Sequence, residues 1–65
     1  MIVYLTVAAV AEELGVSMRT VQRWVERGDL AAVRLPGGRL RIARRDLDAA
    51  VSRWRTAPPG RILAA

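Results

Sequence analysis

The sequence contains no cysteine, no histidine and no lysine. Without cysteine there is no disulfide and no thiolate metal site, and without histidine there is no imidazole ligand and no common nucleophile and base pair. No apolar run approaches the roughly 20 residues that cross a bilayer. Met1–Leu5 also lacks the basic start and the apolar length of a signal peptide. We therefore expect a soluble protein with a cytoplasmic location.

Positive charge is in excess. Eleven arginines against six carboxylates give a formal net charge of +5, which favours an anionic polymer as the partner. A coding sequence rich in G and C would also explain the choice of arginine over lysine, but not the net charge. The six carboxylates form no acid and base pair beside a pocket-forming motif, and no phosphate-binding glycine loop precedes a helix. We therefore expect no enzyme activity, no cofactor and no metal.

The 65 residues suffice for one small domain, which buries only about 60% of the surface of its unfolded chain. Its first helix is predicted over residues 7–14, with Thr6 as the N-cap and Gly15 as the stop. Leu5 before the cap and Val10 after it are placed to form a hydrophobic staple. Apolar residues then recur at helical spacing: Val7, Val10, Ala11 and Leu14.

A second helix is predicted from the N-cap Ser17 to the stop at Gly28. Its apolar stripe consists of Val21, Trp24 and Val25. Only three residues, 15–17, separate it from the first helix, and so short a connection makes the two helices cross steeply. The pattern predicts a helix-turn-helix, with Trp24 in the core and Met18 leaning on it.

After Leu30 the apolar period changes from helical to alternating, which predicts a short β-hairpin. The sequence P-G-G at residues 36–38 forms its tip. Val33, Leu35, Leu40 and Ile42 are expected on the face that covers the helices, and Arg34, Arg39 and Arg41 on the other face.

A third helix is predicted from about Arg44 to Trp54, with Trp54 on its apolar stripe. Arg44 and Arg45 lie at its N-terminus, where the helix dipole disfavours cations, so they either contact a polyanion or pair with Asp48 one turn later. Residues 1–5 are predicted as an N-terminal arm or a short strand, residues 6–55 as the domain, and residues 56–65 as a flexible tail.

The second helix places Arg19 and Arg23 one turn apart, where like charges cost about 0.2–0.5 kcal/mol. An anionic partner would explain this arrangement. A recognition helix contacts the DNA major groove through its N-terminal half. The candidate groove residues are Ser17, Arg19, Thr20, Gln22 and Arg23. The alternative is an ordinary solvated face.

The hairpin tip is a second candidate surface, because a wing with two glycines can approach the phosphate backbone or the minor groove closely. Its candidate residues are Arg34, Gly37, Gly38, Arg39 and Arg41, with Arg34 expected on phosphate. The alternative is an exposed hairpin with solubilising charges.

Three segments carry a family resemblance: L-T-V-A-A-V-A-E-E-L-G-V-S-M-R-T-V-Q-R-W-V-E-R-G-D-L, then A-V-R-L-P-G-G-R-L-R-I, then R-R-D-L-D-A-A-V. In this order they closely resemble the excisionase and MerR-like winged helix-turn-helix family over Leu5 to Val51. The resemblance implies a mainly α fold of three helices with a small β-hairpin as the wing. It also implies that the second helix faces the major groove of double-stranded DNA.

Two functions follow from the resemblance. An excisionase-like recombination directionality factor binds neighbouring sites, bends DNA at attachment sites and assists an integrase, which Ile62 and Leu63 of the tail could contact. A single-domain MerR-like regulator instead binds promoter repeats, here without an effector domain or a small-molecule ligand. Cooperative self-association on DNA fits the first function. A protein-binding adaptor for an acidic partner is the alternative of another class.

Overall fold

The computed structural model describes residues 1–55 of the chain, so the tail predicted at 56–65 lies outside the described residues. The described part contains three helices and a small three-stranded sheet, as the sequence predicts for a winged helix-turn-helix. In chain order the elements are β1 (Tyr4–Thr6), α1 (Val7–Leu14), α2 (Met18–Glu26), β2 (Val33–Arg34), β3 (Leu40–Ala43) and α3 (Arg44–Trp54).

Side-chain caps begin the first two helices. The Thr6 hydroxyl accepts a hydrogen bond from the Ala9 amide at 3.0 Å, and the Ser17 hydroxyl accepts one from the Thr20 amide at 3.1 Å. Each cap satisfies an amide that has no partner within its helix. Both predicted N-caps are therefore confirmed.

Glycines in the left-handed conformation end the same two helices. Gly15 has a φ of 71°, and the Val16 amide beyond it donates to the Ala11 carbonyl at 2.9 Å. Gly28, with a φ of 82°, and the following Asp29 repeat this arrangement at the end of α2. Because a side chain disfavours positive φ, glycine is suited to both positions, and these Schellman-type ends fix where the chain leaves each helix.

The sheet has the order β1-β3-β2, and all its strands are antiparallel. Of the segment predicted at residues 1–5 as an arm or a strand, residues 4 and 5 belong to strand β1, with Leu5 opposite Ile42, and residues 1–3 precede it. The pairing continues beyond β1, because the Arg44 amide donates to the Val3 carbonyl at 2.8 Å. The sheet therefore ties the chain start to the hairpin and to the start of α3.

The predicted distribution of side chains over the two hairpin faces is right for β3 and wrong for β2. Val33 lies opposite Arg41, and Arg34 lies opposite Leu40. Directly opposed residues of an antiparallel pair point to the same face. Arg34 therefore shares the inner face with Leu40 and Ile42, while Val33 lies on the outer face with Arg41.

The three-residue tip sets this register. The Leu35 amide donates to the Arg39 carbonyl at 2.7 Å, and the Gly38 amide donates to the Leu35 carbonyl at 2.9 Å. Gly37 has a φ of 96°, which suits glycine after proline in a type II turn. Because the loop has three residues, odd-numbered residues of β2 lie opposite odd-numbered residues of β3. The expected faces would require a loop with an even number of residues.

The core lies between the inner face of the sheet and the three helices. Trp24 and Trp54 pack on it with ring centroids 4.8 Å apart, which confirms the predicted core role of both residues. None of the helices described is long and apolar enough to cross a membrane. The fully buried cluster consists of Val10, Ala11, Val21, Leu30, Ile42, Leu47 and Ala50.

Candidate nucleic-acid interface

The exposed face of α2 carries two of the predicted groove arginines. Arg19 and Arg23 are exposed while Val21 between them is buried, because the helical period separates the two faces. Together with Gln22 and Glu26 they line a groove of about 190 Å³, which we name the α2 groove. Arg19, Gln22 and Arg23 therefore lie together on one surface.

Ser17 and Thr20 lie at the start of the same helix, but their hydroxyls bond to each other. The two oxygens are 3.0 Å apart, and Ser17 also accepts the amide of Thr20. Both groups therefore take part in the N-cap. Their contribution to the surface is to fix the N-terminal end of α2.

A larger cleft separates α2 from the wing and measures about 520 Å³. We name it the helix–wing cleft. It brings one predicted groove residue, Gln22, together with four of the five predicted wing residues, and Gly37 is the wing residue outside it. The lining residues are Thr6, Val7, Ala8, Met18, Gln22, Val25, Glu26, Arg34, Gly38, Arg39, Leu40 and Arg41.

The corrected hairpin register explains how Arg34 reaches this cleft. Arg34 lies on the inner face of the sheet, on the edge strand β2, and remains exposed. From there it faces α2 rather than the outer side of the wing. Arg34, Arg39 and Arg41 were predicted to lie together on the wing, and all three line the cleft.

The guanidinium groups of this surface have no carboxylate partner among residues 1–55. Arg19, Arg23, Arg34 and Arg39 form no ion pair there. Arg41 donates to the backbone carbonyl of Leu40 at 2.9 Å, which orients it along its own strand. Positive charge concentrated along a cleft, in excess of the one carboxylate that lines it, Glu26, attracts a polyanion.

Arg44 has a different environment. Its two terminal nitrogens donate to the two Glu13 carboxylate oxygens at 2.6 and 2.8 Å, and Asp48 lies 3.8 Å away. These two hydrogen bonds lower the pKa of Glu13 and raise the pKa of Arg44. The unfavourable interaction of the Arg44 charge with the dipole of α3 is therefore offset mainly by Glu13 of α1, and only secondarily by Asp48.

Two further residues line this surface, contrary to the roles that the sequence favoured for them. Met18 was expected to lean on the core, yet 49% of it is exposed and it lines the helix–wing cleft. Glu26 was assigned an ordinary surface role, yet it lines both the cleft and the α2 groove. The spacing from Met18 to Gln22 to Glu26, four residues each time, was the available signal, because such residues form one row on a helix.

Two capped helices joined by three residues, a third helix, and a basic wing beside the exposed face of α2 define a winged helix-turn-helix, a class of DNA-binding protein. A family model described as "Helix-turn-helix domain" matches residues 4–55. The chain belongs to this family of small excisionase-like DNA-binding domains. No curated protein matches the chain significantly.

Proposed function

We propose that the protein binds specific DNA sequences as an excisionase-like recombination directionality factor. The observation that carries the binding mode is the convergence of unpaired arginines from α2 and from the wing around Gln22. Both elements present donors to one side of the molecule, so one duplex can contact both. The family membership supports DNA as the polyanion.

In this proposal α2 contacts base edges in the major groove. Arginine donates two hydrogen bonds to guanine, and glutamine pairs with adenine in a similar bidentate manner. Arg19, Gln22 and Arg23 supply these groups on one exposed face, while Ser17 and Thr20 hold the end of the helix. Each good bidentate contact discriminates against a wrong base by about 1–3 kcal/mol.

The wing contributes phosphate contacts. Arg34 and Arg39 lie across the cleft from α2, where a phosphate backbone would pass on its way from one groove to the next. Gly37 and Gly38 have no side chain to hold the tip away from the backbone. Phosphate contacts fix register and orientation but carry little sequence information, so the wing positions the duplex for α2.

The recombination role requires protein contacts as well as DNA contacts. We propose cooperative association of copies on neighbouring sites, and contact with an integrase through residues 56–65. Exposed apolar residues support a protein contact, because Tyr4 and Val33 lie with Leu35 and Arg41 around a shallow outer cleft of about 350 Å³. Apolar patches of this kind often mark protein interaction sites.

The DNA-binding proposal is tested by selecting duplexes from a random-sequence library and measuring affinity by fluorescence anisotropy. Enrichment of a defined sequence is expected. A protein that enriches no sequence and instead captures one defined acidic protein in a pull-down would be an adaptor. Selected sites that form promoter repeats, with a transcriptional effect and no effect on recombination, would identify a regulator.

The recombination role is tested by an excision assay with the integrase encoded nearest to the gene. Full-length protein should stimulate excision and bend the site, as seen by gel mobility of circularly permuted probes. Deletion of residues 57–65 should remove excision and leave DNA binding intact. Unchanged excision after that deletion would exclude the tail as the integrase contact.

A further inference from the structure

Glu26 is a carboxylate in the middle of an arginine-rich surface. It lies one turn after Gln22 on α2, and these are the two residues that line both the α2 groove and the helix–wing cleft. Arg19 and Arg23 lie on one side of it, and the wing lies on the other. Its position is therefore central to the candidate interface rather than peripheral.

The Glu26 carboxylate has no ion-pair or hydrogen-bond partner among the described residues, although arginines adjoin it in sequence and in space. The neighbouring Arg27 is 3.6 Å from Asp29 instead. Glu26 is also exposed, so the fold does not require its charge. A free carboxylate at this place repels phosphate and lowers the general affinity for DNA.

We propose that Glu26 is a specificity-determining residue that accepts a hydrogen bond from the N4 amino group of a cytosine in the major groove. This inference rests on the proposed function, because it needs α2 in that groove. Gln22 and Glu26 are four residues apart, about 6 Å along the helix. Because Glu26 is the last residue of α2, this contact requires the helix to lie along the groove over its full length. In that orientation, with about 3.4 Å between base pairs, the cytosine lies one or two base pairs from the base that Gln22 contacts.

Base chemistry makes the carboxylate selective. Cytosine presents an amino donor in the major groove, whereas guanine presents two acceptors and thymine presents an acceptor and a methyl group. Opposite guanine or thymine, Glu26 would lose water without gaining a donor, which is unfavourable. Adenine offers a donor only beside its N7 acceptor. The residue that weakens binding to most sequences thus raises the ratio of specific to non-specific affinity.

The test compares full-length wild type with Glu26→Ala in duplex selection from a random-sequence library. Glu12→Ala is the matched control, because Glu12 is exposed on α1, has no ion pair in residues 1–55 and lies outside both lining sets. Each variant removes one negative charge from an exposed helical position. Thermal unfolding verifies that all three proteins are folded.

Wild type and Glu12→Ala should enrich a cytosine that Glu26→Ala does not, with the cytosine preference reduced about fivefold or more. Glu26→Ala should also bind unrelated duplexes more tightly than Glu12→Ala does. Retention of the same cytosine by Glu26→Ala would overturn the inference while leaving sequence-specific binding intact. A wild type that enriches no sequence would overturn the proposed function, and this inference with it.

Discussion

Arg44 and Arg23 are both helix arginines, but they face opposite kinds of surroundings. Arg44 makes two short hydrogen bonds to Glu13 and joins α3 to α1. Arg23 lies in the α2 groove without a carboxylate partner among residues 1–55 and near a second arginine, Arg19. The first arginine is paired within the fold, whereas the second is available to a partner outside it.

The arginines therefore form two groups, those paired within the fold and those without an ion pair among residues 1–55. An ion pair between residues that are distant in the sequence, such as Arg44 and Glu13, supports tertiary structure. Unpaired guanidinium groups on one face repel each other, and a bound anion reduces that repulsion. The net charge of +5 is therefore not a uniform property of the surface. Five of the eleven arginines line the α2 groove or the helix–wing cleft, where Glu26 is the one carboxylate of the lining.

Removal of each arginine in turn tests whether the two have different roles. Arg23→Ala should lower affinity for the selected duplex about 5- to 150-fold, because a base contact is worth roughly 1–3 kcal/mol. It should relax base preference and change the free energy of unfolding by less than about 0.5 kcal/mol, as expected for an exposed position. Anisotropy titrations and thermal unfolding measure the two effects.

Arg44→Ala is the matched control and should show the reverse pattern. Thermal stability should fall because Glu13 loses its partner, while affinity of the folded protein for the same duplex stays close to that of wild type. If Arg44→Ala weakened DNA binding as much as Arg23→Ala, the division between the two kinds of arginine would be wrong.

A substitution at Gly37 tests the backbone conformation of the wing without changing its charge. Its φ of 96° disfavours any side chain, although a Cβ would meet no atom within 4 Å. Gly37→Ala should therefore destabilise the protein through the backbone alone, by about 1–2 kcal/mol. This corresponds to a decrease of roughly 4–16 °C in Tm, measured by circular dichroism. An unchanged Tm would show that the turn relaxes without cost.

The charge of the wing is tested at Arg39. Arg39→Ala should weaken binding to selected and unrelated duplexes by similar factors, because a phosphate contact carries no base information. The slope of log affinity against log salt should become shallower by about 0.9. A change in base preference without a change in slope would place Arg39 on a base edge instead.

The smallest expected effect concerns pH on the paired side. The pKa of Glu13 is lowered in the folded protein by the hydrogen bonds from Arg44, so the pair contributes stability above the unfolded pKa of about 4.3. That contribution is lost as the pH falls through the lower, folded pKa. The Tm difference between wild type and Glu13→Gln should be constant at neutral pH and disappear in acid. Glu12→Gln, without this partner, should show no such dependence.

Local signals explain why the helices could be predicted from the sequence. Thr6 and Ser17 cap amides three residues away, and Gly15 and Gly28 adopt positive φ next to the helices they end. Each of these interactions lies within a few residues, so a linear pattern contains it. The bounds of α1 and α2 follow from such features, whereas α3 begins after Ala43 without a side-chain cap.

Interactions between distant segments could not be predicted in the same way. Glu13 and Arg44 are 31 residues apart, and no spacing rule connects them. The N-terminal residues could form an arm or a strand until their pairing with β3 was known. The faces of β2 were predicted wrongly because alternation within each strand does not give the register between strands, which depends on the loop at residues 36–38.

The candidate site lies between these two cases. The exposed arginines of α2 follow from helical spacing, but their meeting with Arg34 depends on the hairpin register. Glu26 was missed because a carboxylate was not expected on a surface for a polyanion.

The most direct test of the division of charge is the salt dependence of wild-type binding to a selected duplex. Anisotropy between roughly 50 and 200 mM salt should give a linear plot of log affinity against log salt, with a slope near −0.9 for each phosphate contacted. Three to five contacts from the unpaired arginines predict a slope of about −3 to −4.5. Affinity that stays constant over this range would contradict the account.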